Sequence, residues 1–291
     1  MTVRIGPDIG RLGVWLSSTQ LGQLEPGELG EIAAGLEGAG YRAVWVGSIR
    51  GDLPPAESVL AATDKLAFAS GIVNVWSEPA EQAIAAYHRV DTAYPGRILL
   101  GVGAGHRERN ATQGYQRPYA KVVDYLDALA AAPDPVPAEN TVLAALGPKV
   151  LKLAGERTAG AHPYLVTPEH TRQAREVLGA GPLLAPEQKV VLEADPSRAR
   201  TLARAGIARY LELTNYLANL RRLGFTDADF ADGGSDRLVD ALVPWGDVSV
   251  VAARVEEHYA AGADHVCLQV LTDERRPRQE HWRVLGEALA G

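Results

Sequence analysis

The sequence predicts an α/β protein whose single domain, spanning 1–291, is an eight-stranded parallel (β/α)8 barrel. Three observations predict it. The chain has 291 residues with 46% hydrophobic content, enough to bury one large core. Short apolar, β-branched runs alternate with helical patterns from one end to the other, the order of a parallel sheet wrapped by helices. Eight such pairs can be counted, the arithmetic of a barrel whose chemistry gathers at the carboxyl ends of its strands.

The strands are read in order at 11–17 (RLGVWLS), 42–47 (RAVWVG), 66–75 (LAFASGIVNV), 97–104 (RILLGVGA), 141–146 (TVLAAL), 162–166 (HPYLV), 189–194 (KVVLEA) and 265–271 (HVCLQVL). Between the third and fourth, Ala80, Ala83, Ile84, Tyr87 and Val90 recur near i, i+3, i+4 and i+7, which predicts a helix over 79–94 with one face on the sheet. Before the eighth strand, Val248, Val251, Ala252, Val255 and Tyr259 align over 247–261, with Asp247 at the start and Gly262 past the end. The proline-rich AAPDPVPAEN at 131–140 joins a helix to a strand and divides no domains. Between strands seven and eight the pattern stretches into an insertion: a helical region over about 196–223, then FTDADFADGGSDRL and a short helix.

Composition narrows the function. A net charge of −7 and a pI near 5.6 give an acidic surface without the basic stripe that neutralises nucleic-acid phosphates, so no nucleic-acid partner is expected. One cysteine, Cys267, sits in an apolar strand and allows no internal disulfide. The amino terminus lacks a charged region followed by a long apolar stretch, and no run of apolar residues is long enough to span a bilayer. A cytoplasmic protein without a membrane partner is the expectation. The seven histidines show no HExxH or paired Cys/His spacing, and no metal is expected.

RILLGVGAGH at 97–106 carries the glycines that decide the cofactor class. A dinucleotide fingerprint needs its third glycine three residues after the second, with a helix opening at once. Counting from Gly101 and Gly103, that place holds His106, and RERNATQGYQRPY beyond it is polar and turn-rich. The dinucleotide reading fails on both counts. Glycines ending a barrel strand instead let backbone approach a flat ring, because no Cβ intervenes. AALGPK leads from strand five into a helix, where free N–H groups near Leu146, Gly147 and Lys149 either hold a phosphate or simply cap the helix.

The segment ASGIVNVWSEPAEQAIAAYHRVDTAYPGRILLGVGAGH resembles the third-strand, helix and fourth-strand block of the bacterial luciferase-like superfamily of TIM barrels, and most closely its branch using the deazaflavin coenzyme F420. The likeness extends to LAALGPKVLKLAGERTAGAHPYL, LRRLGFTDADFADGGSDRLVDALVPWGD and VEEHYAAGADHVCLQVL, and so covers most of the chain. It implies a non-proline cis peptide at Gly71–Ile72 supporting the ring, with Asn74 beyond it. It also implies cofactor contacts from the fourth-strand glycines Gly103 and Gly105, and a phosphate held near Leu146, Gly147 and Lys149. A homodimer is implied as well.

Two departures shape the expected chemistry. Sugar-phosphate dehydrogenases of the superfamily carry a histidine after strand two and a glutamate after the fourth-strand glycines, where this chain has Ile49 and His106. FMN-using luciferases present an arginine where this chain has Ala104. The expectation is therefore F420, with FMN as runner-up, and hydride transfer between the coenzyme and a small organic C=C, C=N or C=O substrate. An FMN-dependent monooxygenase and a cofactor-binding protein without turnover are the alternatives. His106 is expected as catalytic acid, or as a hydrogen-bonding partner of the deazaflavin hydroxyl. Trp15, Ser17, Ser48, Trp76, His162 and Tyr164 are expected to line the substrate pocket. Arg275, Arg276 and Arg278 either meet the acidic tail of the coenzyme or form a solvated cluster.

Overall fold

The computed structural model describes residues 6–25, 27–274 and 278–290. Eight parallel strands are found: β1 (Leu12–Ser17), β2 (Ala43–Gly47), β3 (Ala67–Ser70), β4 (Ile98–Gly103), β5 (Thr141–Leu143), β6 (Gly160–Ala161), β7 (Leu183–Leu184 with Glu187–Val190) and β8 (Val266–Val270). Each pairs in parallel with the next, and β1 pairs with β8. The ring closes through β7. Its first half pairs with β6, its second half with β8.

Ala185 and Pro186 join the two halves. The Ala185 N–H donates to the Ala161 carbonyl at 2.9 Å, and the Pro186 carbonyl accepts from the Cys267 N–H at 3.1 Å. Pro186 has no N–H to give, which is why the ladder is split there. This moves strand seven from the expected 189–194 to 183–190. Strand six likewise stands at Gly160–Ala161 rather than 162–166, because Pro163 stops the ladder. Gly160 (φ +153°) lies so close to β7 that a Cβ would sit 1.9 Å from the Leu183 carbonyl oxygen.

Inside the barrel, small residues face large ones. Ala43, Ala67, Ala69, Ala185 and Cys267 surround Trp15 and Trp45 in one buried cluster. A Cβ on Gly47 would fall 1.9 Å from the Trp15 ring, and one on Gly13 would fall 2.6 Å from His265. Glycine at these positions is thus what admits two indoles and an imidazole. Cys267 and Gln269 point inward from β8, while Val266 and Leu268 face the helices.

The outer helices follow the expected pattern: Ala80–Ala93 and Val248–Ala260 fall where periodicity places them, and Pro118–Ala131 is the helix that the proline-rich segment joins to β5. Asp247 caps the last of these, its side chain accepting from the N–H groups of Ser249 and Val250. The insertion between β7 and β8 contains helices Pro196–Ile207, Thr214–Arg222 and Asp236–Leu242. They share a second core of Leu213, Leu220, Leu238 and Val239 with neighbouring side chains.

One expectation is overturned. Among the described residues no peptide bond is cis, so Gly71–Ile72 is trans. β3 breaks there all the same, resuming as Val73–Asn74 beside β4. Hydrogen bonds on both flanks hold the break: the Gly71 N–H donates to Val46 O at 2.7 Å, and the Ile49 N–H donates to Ile72 O at 3.2 Å. Ser70 Oγ donates to Gly101 O at 3.0 Å and accepts from Gly101 N at 2.7 Å. A bulge satisfied this way needs no cis bond to turn the chain.

Candidate active site

At the carboxyl ends of the strands, three adjoining cavities share Ile72 and His106. The largest, about 300 Å³, is a slot with apolar walls from Ile72, Ala104, Ala144, Ala145 and Val150. A second, about 190 Å³, opens between Ser48, Asn74, Gly105 and Arg109. A third, about 70 Å³, runs into the barrel between Trp15, Gly71, His162, Arg209 and Tyr210.

The slot ends at the amino terminus of helix Pro148–Arg157, where Gly147 is the N-cap without a side-chain partner for the free N–H groups. Leu146, Gly147 and Lys149 all line it. Arg222, from the insertion, brings its Nη2 to 3.9 Å from where a Gly147 Cβ would stand, and also donates to Asn219 Oδ1 at 2.9 Å. Asn219 is buried, and its Nδ2 has no partner. Free amides, two cations and an unsatisfied amide group together suit an anionic group at this end.

His106 begins the one-turn helix Arg107–Asn110, a turn of helix where the sequence reading expected none. Its ring lies 5.5 Å from that of Tyr216, and its buried Nδ1 has no partner. Burial first, then the charge of Arg109, hold the imidazole below its ordinary pKa, so the ring is neutral at pH 7. As a stored imidazolium acid it is therefore unsuited to neutral pH; what the neutral ring can offer is a hydrogen bond.

Gly105 (φ +60°) takes a left-handed turn that brings backbone against Asn74 and Asn110, and the two amides join at 2.9 Å. Gly103 lines none of these three cavities. It instead makes room for Ile72, whose Cδ1 would lie 3.0 Å from a Cβ there. Ser48 adopts φ 53° at the rim of two cavities.

Two expected pocket residues stand elsewhere. Ser17 is consumed as a helix cap, accepting from Gln20 N and donating to Gln20 Oε1 at 3.1 Å each. Trp76 packs behind the slot on Tyr115, ring centroids 5.1 Å apart, and lines none of the three cavities. Arg278 pairs with Asp273 and Glu274 at 3.2 and 2.7 Å, while Arg275 and Arg276 lie outside the described residues.

Trp15, His162 and Tyr164 do meet in the deep cavity. His162 stacks on Trp45 at 4.3 Å and donates from Nδ1 to the Ala185 carbonyl at 2.7 Å. Its Nε2 is buried without a partner, and burial lowers its pKa to about 4. The Trp15 Nε1 is likewise buried and unpartnered. Behind them, Lys189 Nζ lies 3.0 Å from Glu187 Oε1, 2.9 Å from Gln269 Oε1 and 3.7 Å from the Tyr164 ring centroid. Desolvation raises the Glu187 pKa against the opposing pull of Lys189.

Sequence reasoning missed Arg209, Tyr210, Tyr216 and Arg222, all from the insertion. Periodicity reads 196–223 as helix and says nothing of which side meets the mouth. The available signal was chemical: two tyrosines and three arginines stand in one stretch, RYLELTNYLANLRR, beyond the last strand before the insertion.

The luciferase-like monooxygenase family matches residues 10–265. The chain belongs to that family. Among solved structures, this luciferase-like chain is similar to an F420-dependent secondary alcohol dehydrogenase in complex with an F420-acetone adduct, at TM-score 0.74 and 15% identity over 96% of this chain and 98% of that one. It is also similar to the coenzyme F420-dependent tetrahydromethanopterin reductase of Methanopyrus kandleri, at 0.71 and 15% over the same shares of the two chains. A third match is the oxygenating constituent of 3,6-diketocamphane monooxygenase of Pseudomonas putida, in complex with FMN, at 0.68 and 14% over 97% and 98%. No curated protein matches. The luciferase-like barrel is thus shared with users of both coenzymes.

Proposed function

We propose that this chain is an F420-dependent oxidoreductase, transferring hydride between the bound deazaflavin and a small organic substrate. The observation that carries the reading is the slot of about 300 Å³ running from Ile72 and His106 to the free helix terminus at Gly147. Its apolar walls suit a flat ring system, and its far end suits a phosphate. Ala104 leaves the end of β4 without the guanidinium that FMN-using luciferases carry there, which favours deazaflavin over flavin. Two structural neighbours use F420 and a third is in complex with FMN, so the preference rests on Ala104.

When bound, the coenzyme supplies the hydride chemistry. The chain's own residues do the rest. Ile72 walls one side of the slot, and Gly147, Lys149 and Arg222 would hold the anionic tail. His106 offers a neutral imidazole to whatever polar atom approaches the mouth. Tyr210 and Tyr216 line the deep cavity with aromatic rings. The expected partners are the coenzyme and one small molecule, with a cytoplasmic homodimer as the working state.

Spectroscopic titration of the purified chain with F420 and with FMN tests the reading. Deazaflavin binding at micromolar concentration with weak FMN binding is expected. FMN binding without deazaflavin binding, accompanied by oxygen consumption on reduction, would overturn it in favour of a flavin monooxygenase.

A further inference from the structure

We propose that the deep cavity is a subsite for the head of a 2-hydroxy carboxylic acid, with Arg209 and Trp15 holding the carboxylate and His162 accepting from the hydroxyl. That such an acid is a substrate rests on the oxidoreductase reading; that it binds does not.

The cavity's size sets the first limit. At about 70 Å³ it is less than a quarter of the neighbouring slot, yet several times the roughly 10–15 Å³ that one water needs on the same measure. A carboxylate with its neighbouring carbon fills such a space.

Its polarity sets the second. Trp15 Nε1 is a donor and nothing else, and it is buried without an acceptor. Arg209 stands over the Tyr210 ring at 4.6 Å and donates from Nη2 to the Tyr210 hydroxyl. Tyr210 cannot turn that hydroxyl toward a ligand. Gln269 Oε1 accepts from Lys189 at 2.9 Å and from the Tyr164 hydroxyl at 2.8 Å, so Tyr164 must itself accept from Tyr210, again at 2.8 Å. The chain of hydroxyls is therefore polarised inward. Among the described residues no carboxylate pairs with Arg209, so it brings an uncompensated positive charge to the cavity lining.

The third limit is a single acceptor. The Ala185 carbonyl can only accept, so it fixes the His162 proton on Nδ1 and leaves a lone pair on Nε2 in the same cavity. Burial keeps that ring neutral, so it accepts a hydrogen bond rather than repelling one. Donors with positive charge beside one acceptor match a group that offers anionic oxygens next to one O–H. An amide lacks the charge, and a simple carboxylic acid lacks the hydroxyl.

Calorimetric titration of the full chain with mandelate, mandelamide and phenylacetate, without coenzyme, tests the assignment. Mandelate is expected to bind at least ten-fold tighter than mandelamide and several-fold tighter than phenylacetate. In Arg209→Gln the first difference disappears; in His162→Phe, which keeps a ring on Trp45, the second disappears. Should His162→Phe fail to fold by circular dichroism, the wild-type comparison with phenylacetate decides the hydroxyl contact alone. Equal binding of acid and amide, a preference that survives Arg209→Gln, or no binding of mandelate overturns the proposal. A chain that binds mandelate but neither coenzyme refutes the oxidoreductase reading and leaves this subsite standing; the reverse pattern refutes the subsite alone.

Discussion

At His106 the imidazole carries no charge at neutral pH, because burial disfavours the protonated form and Arg109 disfavours it further. Its contribution is then present above the ordinary histidine pKa and fades as pH falls through the lowered one. His106→Asn is expected to cut kcat/KM ten-fold or more and to remove that acidic limb from the pH–rate profile, while coenzyme titration changes little. Gly101 sets a different kind of requirement. A Cβ there would sit 1.8 Å from the Ser70 carbonyl oxygen. Gly101→Ala should therefore cost more than about 3 kcal/mol in urea unfolding, against about 1–3 kcal/mol for Ser70→Ala, which strands buried polar groups without moving backbone. The sequence pointed to the His106 position through its place after the strand-four glycines. It said nothing of charge state, which depends on Arg109 and Tyr216 closing around the ring.

Among the elements, the helix Pro148–Arg157 and the insertion helix Thr214–Arg222 divide one task. The first brings unsatisfied backbone N–H groups to the slot, the second brings Arg222 to the same spot. Arg222→Gln is expected to weaken binding of FMN or F420 by five-fold or more and to leave binding of the phosphate-free riboflavin or deazaflavin chromophore unchanged, as read by fluorescence titration. Equal losses for both forms would place Arg222 outside the phosphate contact. The first helix was legible because proline in its first turn and the preceding glycine mark a helix start. The second was legible only as a helix, since its partner lies some 70 residues away in sequence. Strands six and seven were displaced in the reading for a related reason. Pro163 and Pro186 interrupt ladders that β-branched runs alone extend too far, and the buried Glu187–Lys189 pair disguises half of strand seven as surface.

For the whole molecule, eight alternations of strand and helix were enough to specify the barrel, because hydrophobic period is a local property and closure follows from its count. What filled the barrel was not legible in the same way. His162, His258 and His265 are buried, and desolvation lowers their pKa values to about 4, 3 and 4. The unfolded chain takes up these protons near pH 6.5 and the folded chain does not, so stability is fully present above that pH and is lost as pH falls toward about 4. Each histidine contributes a slope of up to about 1.4 kcal/mol per pH unit, which three together raise to about 4. Urea midpoints measured from pH 7 to pH 4.5 should fall steeply below pH 6, and a flat profile would show these rings already protonated in the native state. The Glu187–Lys189 pair is a second such store. Lys189→Met should cost about 3–5 kcal/mol by leaving a carboxylate buried alone, while joining it with Glu187→Leu should recover much of the loss.

The joint at Ala185 and Pro186 fastens the ring of strands, and the carbonyl of Ala185 also chooses which nitrogen of His162 is bare. One residue, Ala185, thus serves both in the clasp of the hoop, through its N–H, and as the setting for a lone pair inside it, through its carbonyl. A substitution that loosened the clasp would free the imidazole to exchange its proton between nitrogens, turning an acceptor into a donor with no change to the ring itself.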